Sequence, residues 1–251
     1  MVSSNLKFHP DAAFVIAGQP ITHTQFFADI AAYQSKLTAL KAGSHVVLFH
    51  PDTYQFAVRL FALACSGYNV ILPPNGQHET LSLLLAQSAF FAGDATNIND
   101  DVLFTNLEQS LGHTPLQTNR LQWPTNTAVI FYTSGSSGQS KPIVKPWRVL
   151  NRELAVLSMS FDLPSQFTFL ATVSHQHIYG LLFRLLWPLA KGHIIDSEQI
   201  QYPEHIAQRL KNIRYAALVS SPAQLGRLCA DNVLIPERDK IKWLFSSGGP
   251  L

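Results

Sequence analysis

Ala128-Val129-Ile130-Phe131-Tyr132-Thr133-Ser134-Gly135-Ser136-Ser137-Gly138-Gln139-Ser140-Lys141 is the stretch from which the rest of the chain can be understood. Its first five residues are small, β-branched or aromatic, the composition of a buried strand. The remaining nine are mostly small and polar, with glycines at 135 and 138, hydroxyls at 133, 134, 136 and 137, and a lysine at the far end. Glycine lets consecutive backbone N–H groups turn toward one concavity, which makes an anion nest. The hydroxyls add donors and Lys141 adds a full positive charge. A polyphosphate needs that combination. A solvated Ser/Gly linker shares the composition and is what most such runs are; the strand before it, the lysine and the apolar pair Ile143-Val144 after it put the phosphate reading ahead. The spacing also excludes the Walker loop, whose lysine directly follows its last glycine, because Lys141 stands three residues beyond Gly138. Neither G-x-G-x-x-G nor G-x-S-x-G occurs.

Outward from this stretch, strand and helix patterns alternate. Phe14-Val15-Ile16 and the residues around Ile21 flank Gly18-Gln19 as a small hairpin. Thr22 with Gln25 is a capping box for a helix whose apolar face runs Phe26, Ile30, Tyr33, Leu37, Leu40. Gly43 ends it. His45–Phe49 is a strand, Tyr54–Ala64 a helix closed by Gly67, and Asn69–Leu72 a strand stopped by Pro73-Pro74. A leucine-rich helix around Leu81–Leu85 and a short strand, Ala89–Ala92, come next. Residues 94–126 are rich in Asn, Asp, Gln and Thr and read as a surface excursion whose one strand is Val102–Phe104. Beyond Lys141 come a strand at Ile143–Lys145, a helix at Arg148–Met159, a strand at Phe167–Thr172 and an apolar helix at Tyr179–Trp187. His193–Ile195, Ile206–Ile213, Ala216–Val219, Ala223–Leu228 and Trp243–Phe245 continue the pattern. Strands alternating with helices predict an α/β fold of parallel-type sheets covered on both faces.

Composition narrows the partners. A chain of 251 residues can bury a proper core. The net charge of +2 is too small to argue for nucleic acid or an acidic membrane surface. Charged residues make up 14%, against about a quarter in an average soluble domain, so the surface is polar but weakly charged, or part of it lies under something else. Cys65 and Cys229 lack metal or redox spacing, and the N-terminus lacks a signal-peptide pattern, which together predict a cytoplasmic protein without a transmembrane segment. His175 and His177 alternate on an extended segment, but a metal site needs more ligands than His193 can add, and none is assigned.

The run from Thr133 to Gly138, with Lys141, resembles the phosphate-loop signature T-S-G-[ST]-[ST]-G-x-P-K-G of the adenylate-forming enzymes, the superfamily of acyl- and aryl-CoA synthetases, luciferases and peptide-synthetase adenylation domains. It departs at Ser140, where proline is usual, and at Pro142, where glycine is usual. Further segments resemble the same family in the same order. They are Gly43–Leu48, Phe61–Tyr68, Ser174–Leu181 against the family's P-x-x-H-x-x-G-L with valine or serine where proline is usual, Pro188–Gly192, Val219–Pro222 and Ser247–Leu251, the last one residue short of S-G-G-A-P-L. The resemblance covers the N-terminal portion of such an enzyme. The family's later motifs, its mobile C-terminal domain and its late lysine have no counterpart before Leu251, which implies a truncated chain with the C-terminal portion of the same protein as a missing partner.

What the resemblance implies is an ATP-dependent carboxylate ligase, an acid–thiol ligase whose acyl- or aryl-adenylate passes to coenzyme A or an acyl carrier protein. The cofactors would be ATP and magnesium, with the magnesium ligands beyond the end of this chain. Thr133, Ser134, Gly135, Ser136, Ser137 and Gly138 would cradle the phosphates, and Lys141 would neutralise the leaving pyrophosphate. Gly248, Gly249 and Pro250 match the adenine-contacting turn. His177 matches the histidine bordering the substrate carboxylate, with Tyr179 and Gly180 shaping the acyl pocket. A packing role for Tyr179 and an ordinary turn at 248–250 stand as the alternatives. By the same resemblance residues 43–165 form one lobe and 1–42 pack with 166–251 as a second. The competing function is a non-catalytic nucleotide- or carrier-protein-binding module that has kept the fold.

Overall fold

The computed structural model describes residues 13–16, 18–37, 41–88, 90–94, 105–106, 123–133, 141–164, 166–230 and 232–249. The expected strand Val102–Phe104 and the expected helix end at Leu40 lie outside them. In chain order the elements are β1 (Ala13–Ile16), β2 (Gln19–Ile21), α1 (His23–Gln34), β3 (His45–Phe49), α2 (Thr53–Cys65), β4 (Asn69–Leu72), α3 (His78–Ser88) and β5 (Phe90–Gly93). After these come β6 (Thr105–Asn106), β7 (Ala128–Thr133), β8 (Lys141–Pro146), α4 (Trp147–Ser160) and β9 (Thr168–Ala171). The remainder is α5 (Ile178–Gly180), a π-helical segment Leu181–Leu186, α6 (Trp187–Lys191), β10 (Ile194–Gln199), α7 (Pro203–Lys211), β11 (Ala216–Ser220), α8 (Pro222–Ala230) and β12 (Ile241–Ser246).

The described chain divides into two compact units, one built on Thr24–Glu153 and the other on residues 13–23 with those from Leu154 onward. Each holds a six-stranded sheet, ordered β6-β5-β3-β4-β7-β8 in the first and β12-β11-β9-β10-β1-β2 in the second. In both, five strands run parallel and one edge strand is antiparallel, β8 on β7 and β2 on β1. The division differs from the partition expected at residues 42/43 and 165. Phe26 of α1 packs its ring on Phe61 and Tyr54 of the first unit, whereas Phe161, just past α4, packs on Trp187 and Phe245 of the second.

In the first unit one sheet face is closed by α3, with Val47, Ile71, Leu81, Leu84, Leu85, Phe91 and Ile130 in one buried cluster. A second buried group joins Phe61, Trp123 and Trp147, with ring centroids 5.1–6.3 Å apart. Asn151 locks it, accepting from Trp123 Nε1 at 2.7 Å and donating to the Pro124 carbonyl at 3.2 Å. α2 starts where Asp52 accepts from the Gln55 N–H at 2.8 Å, a side-chain N-cap. α1 is α-helical to Gln34. It tightens at Gln34 into a 3₁₀ turn, Ser35–Leu37, where Ser35 Oγ donates back to the Ala32 carbonyl at 2.7 Å.

In the second unit Leu170, Ile200, Ile206, Leu210, Ala216, Leu218 and Leu228 form the core under α7 and α8. Another group is aromatic, with Trp187 in ring contact with Phe169, Phe183 and Phe245, and Phe183 also in contact with Phe245. The expected single helix over Tyr179–Trp187 is instead α5, the π segment and α6. Pro188 supplies the reason. It lacks an N–H, and in an α-helix its ring would press on the carbonyl four residues back. A wider π turn before it removes that clash.

Candidate functional site

β7 and β8 are paired residue for residue from Ala128↔Pro146 to Thr133↔Lys141. Thr133 and Lys141 are therefore cross-strand neighbours at the carboxyl end of β7. Open α/β sheets bind ligands outside that end of their strands. Ser134, Gly135, Ser136, Ser137 and Gly138 lie outside the described residues. Lys141 is exposed. Lys145, further along β8, is tied to Glu153, and Arg148 is exposed on α4. Pro142, one of the departures from the family pattern, falls on an edge strand. The Trp147 N–H donates to the Thr127 carbonyl at 2.9 Å, so odd-numbered residues turn their N–H toward β7. Pro142 and Pro146 both sit on the other side, where a missing donor costs no ladder bond. At the carboxyl end of β3, His50 accepts at Nδ1 from the Asp52 N–H at 3.1 Å. Burial, followed by the Arg59 charge, holds its imidazole below the ordinary range.

In the second unit the chain passes from β9 to β10 on one side and reaches β11 on the other, so the switch point lies between β9 and β11. Thr172 and Ser220 stand there, their hydroxyls 2.8 Å apart. The Thr172 N–H donates to the Val219 carbonyl at 3.0 Å, and Gln199 Nε2 donates to the Thr172 carbonyl at 3.0 Å. The fully buried Arg184 of the π segment donates to the Val173 carbonyl at 2.8 Å and the Ser197 carbonyl at 3.0 Å. It thereby joins the ends of β9 and β10. Ser174 Oγ accepts from the Gln176 N–H at 3.1 Å, and the Leu181 N–H donates to the His177 carbonyl at 2.8 Å.

His177 caps α5 with extended backbone, φ −102° and ψ 152°, and makes no side-chain cap bond. Although the residue is exposed overall, partial desolvation of the ring holds its imidazole below the ordinary range. Burial pushes the Tyr179 phenol upward, with the Ser220 backbone acting against the rise, and its ring lies 5.0 Å from that of Phe183. Gly180 is required by close approach, since a Cβ there would meet the Ser174 carbonyl oxygen at 2.0 Å. Ser220 pairs with Ser246 in the β11–β12 ladder. Just beyond it, Gly248 has φ +100° with nothing within 4 Å of a Cβ built on it. That open, left-handed turn suits a flat ring lying against the backbone. Pro250 lies outside the described residues.

The structure thus sets His177, Tyr179 and Gly180 after β9 and Gly248 with Gly249 after β12, all at the carboxyl edge of one sheet. Thr172, Gln176, Arg184, Gln199 and Ser220 hold or border the same edge, and sequence reasoning assigns them no role. Their only signal is polarity among apolar residues. His193 packs its ring on Phe169 at 5.2 Å and meets Phe167 edge-on. Among the described residues no three His, Cys, Asp or Glu side chains gather as metal ligands, and no helix is long and apolar enough to cross a membrane.

A family model described as AMP-binding enzyme matches residues 3–251. A relative from Oryza sativa subsp. japonica, 4-coumarate–CoA ligase-like 4, is 25% identical over 274 residues, covering 93% of this chain and 49% of its own. The chain therefore spans about half the length of the curated relative it matches. Among solved structures, O-succinylbenzoate coenzyme A synthetase of Bacillus subtilis in complex with AMP superposes with a TM-score of 0.81 at 15% identity, over 95% of this chain and 64% of that one. ATP-bound MatB of Rhodopseudomonas palustris gives 0.80 at 16% identity, over 100% and 54%. The two six-stranded sheets have the fold of these enzymes' N-terminal regions.

Proposed function

Because the chain belongs to the AMP-binding enzyme family, we propose that it carries the nucleotide- and acid-binding part of an ATP-dependent carboxylate-activating ligase. The product would be an acyl- or aryl-adenylate, passed to coenzyme A or an acyl carrier protein. In this reaction a carboxylate oxygen bonds to the α-phosphorus of ATP, the bond from that phosphorus to the bridging oxygen breaks, and pyrophosphate leaves with the electron pair. Positioning and charge stabilisation do most of such work. Thr133, Ser134, Gly135, Ser136, Ser137 and Gly138 would hold the β- and γ-phosphates, and Lys141 would offset the charge on the departing pyrophosphate. Gly248, Gly249 and Pro250 would border the adenine. His177, Tyr179 and Gly180 would border the acid. Magnesium would accompany the triphosphate. No residue-level observation favours a non-catalytic module.

The observation that carries the reading is the Thr133↔Lys141 pair. It brings the two ends of the glycine–serine run together at the ligand-binding edge of the first sheet and mounts the cation on a strand. Titration of ATP into residues 1–251, followed by calorimetry, tests it. Lys141→Ala should weaken ATP by about tenfold, which is about 1.4 kcal/mol, the range of one charge-assisted contact. A wild-type chain that binds neither ATP nor pyrophosphate at millimolar concentration would overturn the assignment. So would a longer chain containing these residues that shows no acid-dependent exchange of pyrophosphate into ATP.

A further inference from the structure

Gln176 sits in a stretch whose backbone is anchored on both sides, yet its own side chain is unanswered. The residue is 3% exposed. Neither its Nε2 nor its Oε1 has a hydrogen-bond partner among the described residues. The nearby backbone carbonyls and the Ser174 hydroxyl are paired. The Thr172 carbonyl takes Gln199 Nε2, the Val173 carbonyl takes Arg184, and Ser174 Oγ takes the N–H of Gln176 itself. Gln199 is the useful contrast, the same residue type one strand away, with its amide donated at 3.0 Å. Burying a polar group without a partner is disfavoured, and the great majority of buried side-chain polar atoms in native proteins have one. An amide unpaired at both ends calls for a partner from outside the described residues.

We propose that Gln176 is a specificity-determining residue whose side-chain amide binds a hydroxyl or carboxamide group carried by the acid substrate. The inference rests on the carboxylate-activating reading and adds the substrate's chemical class to it. An amide offers N–H donors at Nε2 and an acceptor at Oε1. The acid's own carboxylate only accepts, so it would leave Oε1 unpaired, and a plain alkyl or aryl tail would satisfy neither atom. A hydroxyl or carboxamide both donates and accepts. Position agrees with chemistry. Gln176, next to His177, is on the segment that leaves the carboxyl end of β9, the strand beside the switch point between β9 and β11, where sheets of this kind hold their ligands. Close by in sequence, the Tyr179 and Phe183 rings lie 5.0 Å apart and suit the apolar body of an aryl acid. A site that buries polar groups and pairs them only with the right substrate discriminates far more sharply than an apolar pocket does.

The test measures binding of two isosteric pairs, 4-hydroxybenzoate against 4-methylbenzoate and 4-hydroxycinnamate against 4-methylcinnamate, to residues 1–251 by calorimetry. Wild type should bind at least one hydroxylated acid tenfold or more tighter than its methyl counterpart. Gln176→Met, similar in length and apolar, should bring that ratio to within twofold of unity while binding the methyl acid as well as or better than wild type. Its melting temperature without ligand should be unchanged or higher, because no internal hydrogen bond is lost. Gln176→Leu repeats the measurement with a second shape. Equal affinity for hydroxylated and methyl acids in wild type overturns this inference alone. An unchanged ratio in both variants also overturns it, and assigns the amide to buried water. Binding of none of the four acids overturns this inference, while the ATP titration and pyrophosphate exchange decide the carboxylate-activating reading separately.

Discussion

Gly180→Ala is the substitution whose cost can be worked out most directly. A Cβ at 180 would lie 2.0 Å from the Ser174 carbonyl oxygen, 2.8 Å from the Ser174 carbonyl carbon and 3.3 Å from the His175 nitrogen. An ordinary carbon–oxygen contact is about 3.3 Å or more, so the two backbones must separate by roughly 1 Å. Neither is free to do so. The strand end is tied through Val173 to Arg184, and the helix start is tied through the Leu181 N–H to the His177 carbonyl. Overpacking in such a place costs about 3 kcal/mol, and the helical preference of alanine over glycine returns about 1 kcal/mol. The net expectation is a loss of about 2 kcal/mol, or about 4–8 °C in melting temperature for a chain of this size. Gly226 of α8 is the internal control, since a Cβ there meets nothing within 4 Å. Gly226→Ala should raise stability by about 1 kcal/mol. Urea and thermal unfolding followed by circular dichroism measure both. If Gly180→Ala proves as stable as Gly226→Ala, the close approach does not exist and the placement of the 174–180 segment is wrong.

Arg184→Met should cost about 3 kcal/mol or more in urea unfolding, because it strands one buried and one half-buried carbonyl that now pair with a fully buried charged donor; a loss below about 1 kcal/mol would contradict the clamp between Val173 and Ser197. Stability should also fall in mild acid. His50 and His177 both have folded pKa values below the ordinary 6.5, so the unfolded chain takes up more protons as pH drops. The stabilisation is whole above pH 6.5 and declines below it toward the folded values. A melting-temperature series from about pH 8 to pH 5 should show this slope, and His50→Gln combined with His177→Gln should flatten it; a double variant with the wild-type slope would assign the proton uptake elsewhere.

Much of the architecture is legible because strand and helix periods differ so plainly in this chain. The apolar pattern predicts a helix over Tyr54–Ala64, and Thr53–Cys65 is one; it predicts a strand over Asn69–Leu72, and that strand is present. The parallel sheets follow from alternation alone. Three features are not legible, each for a physical reason. The 3₁₀ turn at Ser35 depends on a side chain bonding its own helix backbone, against an apolar period that would carry on to Leu40. The π segment is in principle readable from Pro188, but apolar periodicity over Tyr179–Trp187 outweighs it. Gln176 cannot be singled out, because polarity is written in a sequence and burial is not. The unit boundaries come from resemblance, whereas the rings of Phe26 and Phe161 fall to opposite sides of them.

The pairing of β7 with β8 also bears on how the glycine–serine run can vary. Lys141 is held by a ladder of six pairs, so its place relative to Thr133 is set by strand register and not by the number of residues between them. Adding or removing a residue within 134–140 changes contour length and leaves the ammonium on the same side of the sheet. One residue inserted within β8 would instead turn every later side chain to the opposite face. Insertion scanning across 134–146 should therefore divide sharply at Lys141, with graded changes in ATP affinity before it and abrupt loss after it. Motif spacing, the property by which such runs are usually recognised, is here the more forgiving half of the design.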